Sequence, residues 1–198
     1  MAKALRAGRI KRRLAASVGA VSAARFYRTC LTHTLMRLGR DPRWRMVLAV
    51  SPDGDVIAPY WPRGIERVAQ GGGDLGTRMQ RLFRRLPPGP AIIVGSDIPA
   101  IRPSDVASAF RLLGKSDAVF GRAADGGYWL VGLRRCPRVL SPFANVRWSS
   151  LHALADTLRN FAGLRIAFAA TLSDVDTRED YRGSRGTWQR LIPSRSAA

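Results

Sequence analysis

Apolar residues in this chain occur in two patterns that alternate along its length. Short continuous runs predict buried strands at 44–51, 66–70, 91–95, 117–121, 128–133 and 164–169. Between them, helical spacing predicts helices at 22–38, 77–86, 103–113 and 149–161, with a last short helix after Thr177. Strands that alternate with helices predict an α/β domain with a mainly parallel sheet flanked by helices.

Several predicted helices have recognisable end signals. Ser22 can cap the first helix, and the prolines at 87 and 88 end the second. Pro103 fits the first turn of the third helix. Thr177 and Asp180 have the spacing of a capping box. We therefore expect one domain over residues 1–183, followed by a basic tail over 184–198.

Composition narrows the class of protein. The 198 residues include 46% hydrophobic residues, which is enough for a folded core. No apolar run reaches the roughly 18 residues of a membrane helix. Cys30 and Cys136 lack metal-site spacing and do not suggest a disulfide scaffold. A reducing, cytoplasmic location is expected.

The net charge of +19 favours polyanionic partners, either nucleic acid or phosphorylated small molecules. The arginines are scattered through every segment, however, so most of them are expected on solvated faces. Nucleic-acid binding therefore stays open as a hypothesis of a different class.

The few acids stand in loops. Asp97 directly follows the strand 91–95, where ligands of parallel sheets bind and where Mg²⁺ would find a carboxylate ligand. Alternatively, Asp97 caps the following turn. Asp174 and Asp176 share one face if their segment is extended, although the pattern slightly favours an N-cap pair, in which Asp176 or Thr177 starts the helix and Asp174 is solvated. Asp125 precedes two glycines, which favours a hairpin turn and leaves a role near an acceptor open.

The segment 71–76 is glycine-rich and opens a helix. It contains a G-x-G-x-x-G spacing but lacks the context of a dinucleotide-binding fingerprint. A helix N-terminus that binds an anion is the better interpretation. The segment 7–14 could contact phosphate through Lys11 and Arg13, and its acid-free surroundings also fit an organelle transit peptide.

In combination and in order, these motifs resemble a bacterial family of GT-A-like transferases. The family includes uncharacterised and arsenosugar-biosynthesis glycosyltransferases and is related to phospholactate guanylyltransferase and the molybdenum-cofactor nucleotidyltransferases. The matching segments are 2–4 with 8–14, 70–79, 95–99, 125–133, 147–150 and 174–180.

The resemblance implies a role for each motif. Asp97 and Asp176 would bind Mg²⁺ or Mn²⁺, and Asp97 and Asp125 would be catalytic. Nucleotide and phosphate contacts would come from Lys11, Arg13, Gly71, Gly73, Asp74, Gly76 and Ser96. The acceptor side would be formed by Gly126, Gly127 and Trp148.

The chain departs from the family pattern near its start. The family has a hydrophobic strand before the Ala2–Ala4 segment, whereas only Met1 precedes it here, so either the true start lies upstream or the product lacks this first strand. Leu5, Ala7 and Arg12 also replace two usual prolines and a threonine.

The implied activity is a metal-dependent transfer from a nucleotide-linked donor to a small-molecule acceptor. Glycosyl transfer from a nucleotide sugar is the first hypothesis. Nucleotidyl transfer from an NTP, with release of pyrophosphate, is the second. A degenerate enzyme and a basic nucleic-acid-binding protein are the remaining alternatives.

Overall fold

The structure, a computed structural model, describes residues 1–6, 10–137, 139–184 and 186. The described strands are β1 (Ala2–Lys3), β2 (Val47–Ser51), β3 (Glu66–Ala69), β4 (Ala91–Val94), β5 (Ala118–Arg122), β6 (Tyr128–Leu133) and β7 (Ile166–Ala169). The described helices are α1 (Arg12–Val18), α2 (Ala20–Gly39), α3 (Leu75–Arg85), α4 (Pro103–Leu113), α5 (Ala153–Arg159) and α6 (Arg178–Gly183).

The strands form two neighbouring ladders. One has the order β1-β2-β3 and is parallel throughout, while the other has the order β4-β6-β5-β7. In the second ladder β5 and β7 are parallel, whereas β6 runs antiparallel to both β4 and β5. The predicted mainly parallel α/β fold is confirmed, although β4 is antiparallel to its described neighbour.

The two ladders meet at β1. The Met1 ammonium donates a hydrogen bond to the Val94 carbonyl at 2.8 Å, while Ala2 pairs with Val50 on the other side. The segment 2–3 was expected to follow the first strand, but it forms a two-residue strand itself. β1 has only two residues and, among the described strands, pairs with β2 alone.

Helices cover the sheet and place the core on both of its faces. Leu113, Val119 and Leu130 are buried together under α4, and Phe83, Phe120 and Phe161 are buried together on the other side. A strand buried on both faces reads as a continuous apolar run, which is why the pattern located most of the strands correctly.

Several predicted boundaries were wrong. Helix α2 begins after Gly19, so Ser22 lies inside the helix and does not cap it. Helix α5 begins at Ala153 and not at 149, because Ser149 has a left-handed backbone (φ 59°) and the Ser150 hydroxyl donates to the Arg147 carbonyl. Helix α1 was not predicted as a helix. The predicted tail lies outside the described residues apart from Ser184 and Gly186.

Among the described residues, no helix is long and apolar enough to cross a membrane.

Candidate active site

Lys11 occupies the centre of the candidate site. It precedes α1 in a left-handed conformation (φ 46°, ψ 49°), and only 6% of its side chain is exposed. Its ammonium donates to Asp176 Oδ1 at 2.5 Å, forms an ion pair with Asp97, and lies 4.0 Å from Asp174 Oδ2. One cation is thus surrounded by three carboxylates.

Asp97 reaches this point from the end of β4. The Gly95 amide still donates to the Trp129 carbonyl at 2.9 Å, and a Cβ on Gly95 would lie 2.9 Å from Ile98 Cδ1, so a larger residue would require Ile98 to shift. Ser96 is buried, and its hydroxyl lies 3.0 Å from the Tyr27 hydroxyl, which also contacts both backbone polar groups of Lys3. The loop after β4 is therefore tied to α2 and β1, and this fixes the position of Asp97.

Asp174 and Asp176 follow β7 in an extended segment. Val175 between them is 2% exposed and packs with Leu14 and Phe26, so the two flanking carboxylates project to the opposite side. Thr177 accepts from the Asp180 amide, and the Asp180 carboxylate accepts from the Thr177 amide. The predicted capping box is confirmed, and Thr177 rather than Asp176 caps α6.

The three carboxylates constitute a possible metal-binding group. One oxygen from each of Asp97, Asp174 and Asp176 lies within 4.8 Å of the others. The sequence pattern predicted that Asp174 and Asp176 could share one site, and the structure brings them together. Asp174 was not assigned as a metal ligand from the sequence, and spacing alone could not show that it also approaches Asp97.

Mutual charge compensation governs this cluster. Burial alone would lower the pKa of Lys11, but Asp97 and Asp176 outweigh it and hold that pKa above its ordinary value. Burial raises the pKa of Asp174 to about 6. The positive charge of Lys11 lowers this pKa, whereas the negative charges of Asp97 and Asp176 raise it. The cluster therefore favours a positive charge at its centre.

A cleft of about 240 Å³ opens beside these groups. Its lining residues include Arg13, Leu75, Asp97, Asp125, Gly127, Tyr128, Trp148, Asp174 and Asp176. The Arg13 guanidinium lies 3.6 Å from Asp176 Oδ2 and is mostly exposed. Of the predicted residues, Arg13, Asp97, Asp125, Gly127, Trp148 and Asp176 face one cavity, with Lys11 behind them.

Asp125 combines two interpretations that the sequence left open. Its carboxylate accepts from the Gly127 amide at 3.0 Å, which makes it a turn residue of the β5–β6 hairpin. It also lines the cleft and raises the pKa of Asp174 through its charge. Gly126 has a left-handed backbone (φ 82°), and a Cβ there would lie 2.3 Å from the Leu151 carbonyl oxygen, so the turn requires glycine at this position.

Next to Trp148 in the cleft wall lies an ion-pair group whose carboxylate is buried and whose arginines are exposed. The Asp156 side chain is 1% exposed and accepts from the Arg147 amide (3.0 Å), Nε (2.8 Å) and Nη2 (2.9 Å), and from Arg159. Hydrogen bonds from Arg147 hold the pKa of Asp156 well below its usual range. This support was not predicted, because Asp156 lies on a helix face with no sequence motif.

The glycine-rich loop lies at one side of the cleft. The Gly71 amide donates to Asp53 Oδ1 at 2.9 Å, and Asp74 caps α3 by accepting from the Thr77 amide at 2.8 Å. Trp148 Nε1 donates to Asp74 Oδ2 at 3.1 Å, which joins the loop to the cleft wall. Gly71, Gly73, Asp74 and Gly76 do not line the cleft, and a nucleotide contact from this loop stays a prediction.

Comparison with known proteins points to the same fold. The chain is similar to a structure from Desulfovibrio desulfuricans G20 described as a "putative nucleotide-diphospho-sugar transferase", with 26% identity and a TM-score of 0.82. The similarity covers 96% of this chain and 95% of that one. No match was found among curated proteins.

A family model described as "Uncharacterized protein conserved in bacteria" (DUF2064) matches residues 34–150. That segment carries Asp97, Asp125 and Trp148, while Lys11, Asp174 and Asp176 lie outside it. Together with the structural match, it supports the GT-A-like family that the motifs resembled. The chain belongs to the DUF2064 family and has the fold of a nucleotide-diphospho-sugar transferase.

Proposed function

We propose that this protein is a metal-dependent transferase that uses a nucleotide-linked donor, with glycosyl transfer from a nucleotide sugar as its reaction. The observation that carries the proposal is the convergence of Asp97, Asp174 and Asp176 on one cation at the edge of the sheet. The similar structure from Desulfovibrio desulfuricans supports a nucleotide-linked donor.

The donor atoms of this cluster fit Mg²⁺ or Mn²⁺. All three are carboxylate oxygens, which hard divalent cations prefer, and Mg²⁺ sites commonly combine one or two carboxylates with substrate phosphates. The Lys11 ammonium at the centre supports this fit, because it shows that the cluster accommodates a cation. When bound, the metal would stabilise the negative charge that develops on the leaving diphosphate.

The residues around the cluster provide the other functions that the reaction needs. Arg13 would bind the donor diphosphate, since it is an exposed cation that lines the cleft, and Lys11 would bind it once the metal takes the place of its ammonium among the carboxylates. Asp125 also lines the cleft, and its carboxylate would accept a hydrogen bond from the acceptor hydroxyl and orient it. Tyr128 and Trp148 form an aromatic wall against which the acceptor would pack.

Nucleotidyl transfer needs the same cation and phosphate contacts, so the products must distinguish the two reactions. Purified protein would be incubated with Mg²⁺ and a panel of nucleotide sugars and NTPs, and the released products identified. A nucleoside diphosphate that depends on Mg²⁺ and on Asp97 supports the proposal. Pyrophosphate release assigns nucleotidyl transfer, and nucleotide binding that is indifferent to Asp97→Asn contradicts both.

A further inference from the structure

A second concavity lies on the other side of the cleft wall. Its volume is about 460 Å³, within the usual range of roughly 300–1,000 Å³ for small-molecule sites. We call it the arginine groove. Helix α3 and the segment 141–144 line it, and its polar lining residues are Thr77, Gln80, Arg81, Arg84, Arg85 and Ser141.

The groove is cationic without local compensation. Arg81, Arg84 and Arg85 present three guanidinium groups from successive turns of α3, and no acidic residue lines the groove. Across the described residues, no carboxylate lies within 4.0 Å of these three guanidinium groups. Some of the described arginines elsewhere, such as Arg43 and Arg134, form ion pairs and many do not, so the three groove arginines are distinguished by sharing one concavity.

The walls of the groove are fixed in position. Gln80 donates to the Leu140 carbonyl at 2.9 Å, and Asn160 donates to the Pro142 and Ala144 carbonyls at 2.8 Å each. Arg81 donates to the Gln70 carbonyl at 2.6 Å and to the Gly72 carbonyl at 3.0 Å. Backbone and side chains are thus held before any ligand binds, which lowers the entropic cost of binding.

Arg84 and Arg85 retain donor capacity toward a ligand. Arg84 donates to the neutral hydroxyl of Ser141 at 3.0 Å, and both arginines are exposed. A guanidinium offers five N–H donors in a planar fork that suits phosphate oxygens. Thr77 and Ser141 add hydroxyl groups to the same lining.

From these observations we infer that the arginine groove is a binding site for a small phosphate-bearing molecule, distinct from the carboxylate cleft. Several guanidinium groups match an anion that has several oxygens and more than one negative charge. The inference does not depend on the proposed transferase activity, because none of its residues belongs to the carboxylate cluster.

Inorganic pyrophosphate is a suitable probe, titrated calorimetrically into the full chain at low salt with EDTA. EDTA prevents metal-bridged binding at the cleft. The double substitution Arg84→Gln/Arg85→Gln is expected to weaken binding by about tenfold for each guanidinium removed. Asp97→Asn is expected to leave this binding unchanged.

The matched control is Arg63→Gln/Arg111→Gln, which removes the same net charge. Arg111 closely resembles Arg84, since it is exposed in the last turn of a helix and donates to a serine hydroxyl at 2.7 Å. The control is expected to bind pyrophosphate within about twofold of the unmodified protein, apart from a small loss of long-range attraction. Thermal unfolding of each variant verifies that it is folded.

Three results would overturn the inference. One is an equal loss in both double variants, which would indicate a general charge effect. Another is loss of binding in a Lys11→Met or Asp97→Asn variant, which would move the phosphate to the cleft. The third is absence of pyrophosphate binding; RNA binding that requires Arg84 and Arg85 would then identify the groove as a nucleic-acid surface.

Discussion

The carboxylate cleft and the arginine groove share a wall but differ in whether their charged side chains are compensated by opposite charges. In the cleft, Asp97, Asp174 and Asp176 surround Lys11, so the charges compensate one another within a few ångströms. In the groove, three arginines face a concavity that has no acidic residue in its lining. The net charge of +19 therefore describes neither concavity, because only the local pairing shows whether a cation or an anion is favoured.

The wall itself is thin. Gly76 lines the groove, and Leu75 and Trp148 line the cleft. A Cβ at position 76 would lie 2.7 Å from Trp148 Cζ2 and 2.8 Å from the Phe143 carbonyl oxygen. Substitutions can therefore be chosen that affect the cleft alone, the groove alone, or both.

The largest expected effect is the loss of turnover when Asp97 in the cleft is replaced, and it should leave the groove unaffected. Asp97→Asn keeps the shape of the side chain but removes one carboxylate charge from the cluster. Metal-dependent turnover of the nucleotide donor, measured as kcat/KM, should fall at least about 10³-fold. Asp41→Asn, in the loop after α2, is the control and should keep full turnover. Pyrophosphate binding in the groove should persist, and its loss would show that the two sites are not distinct.

Lys11→Met tests charge compensation inside the cleft. Without the ammonium, three carboxylates repel one another, so the metal-free protein should lose about 1–3 kcal/mol in free energy of unfolding. Mg²⁺ should then raise the Tm of this variant more than that of the unmodified protein, because it replaces the missing charge. Lys115→Met, at an exposed position, is the control. An equal Mg²⁺ effect in all three proteins would contradict this account.

Gly76→Ala tests the shared wall. The added methyl group would contact Trp148 and Phe143 at distances that require the wall to move, so the free energy of unfolding should fall by about 1–3 kcal/mol. Gly72→Ala is the matched control, since nothing lies within 4 Å of its Cβ position. Chemical denaturation measures both. An unchanged free energy of unfolding in Gly76→Ala would mean that Trp148 and Phe143 move aside at little cost.

The smallest expected effect concerns the support behind Trp148. The pKa of Asp156 is lowered in the folded protein, so its contribution to stability is present at neutral pH and is lost as pH falls through the acid range below the ordinary Asp value. Asp156→Asn should lower the Tm at pH 7, and the difference from the unmodified protein should shrink toward pH 2. Thermal melts across this pH range measure it, and a constant difference would contradict the assignment.

Much of the cleft could be predicted from the sequence, and the reason is local. Asp97 stands directly after a continuous apolar run, and Asp174 and Asp176 alternate with a buried valine. Strand ends and two-residue alternation are short-range patterns, so they can be recognised in the sequence without knowledge of the fold. The family resemblance, which rests on the order of the motifs, then assigned Lys11 to the phosphate contacts of the same site.

The groove and the cleft supports could not be predicted in this way. Arg84 and Ser141 are 57 positions apart, and no pattern relates them before the chain folds. Tyr27 and Ser96 likewise meet only through the packing of α2 against the loop after β4. In a chain with 33 basic residues, nothing in the composition marks Arg84 or Arg85 as different from the others.

The central claim, that the carboxylate cluster binds a divalent cation together with a nucleotide, can be measured directly. Mn²⁺ binding would be followed by electron paramagnetic resonance in the presence of the nucleoside diphosphate that gives the largest thermal shift. We expect one bound Mn²⁺ per chain, with affinity at least about tenfold lower in Asp97→Asn/Asp176→Asn. Mn²⁺ binding of equal affinity in that double variant would contradict it.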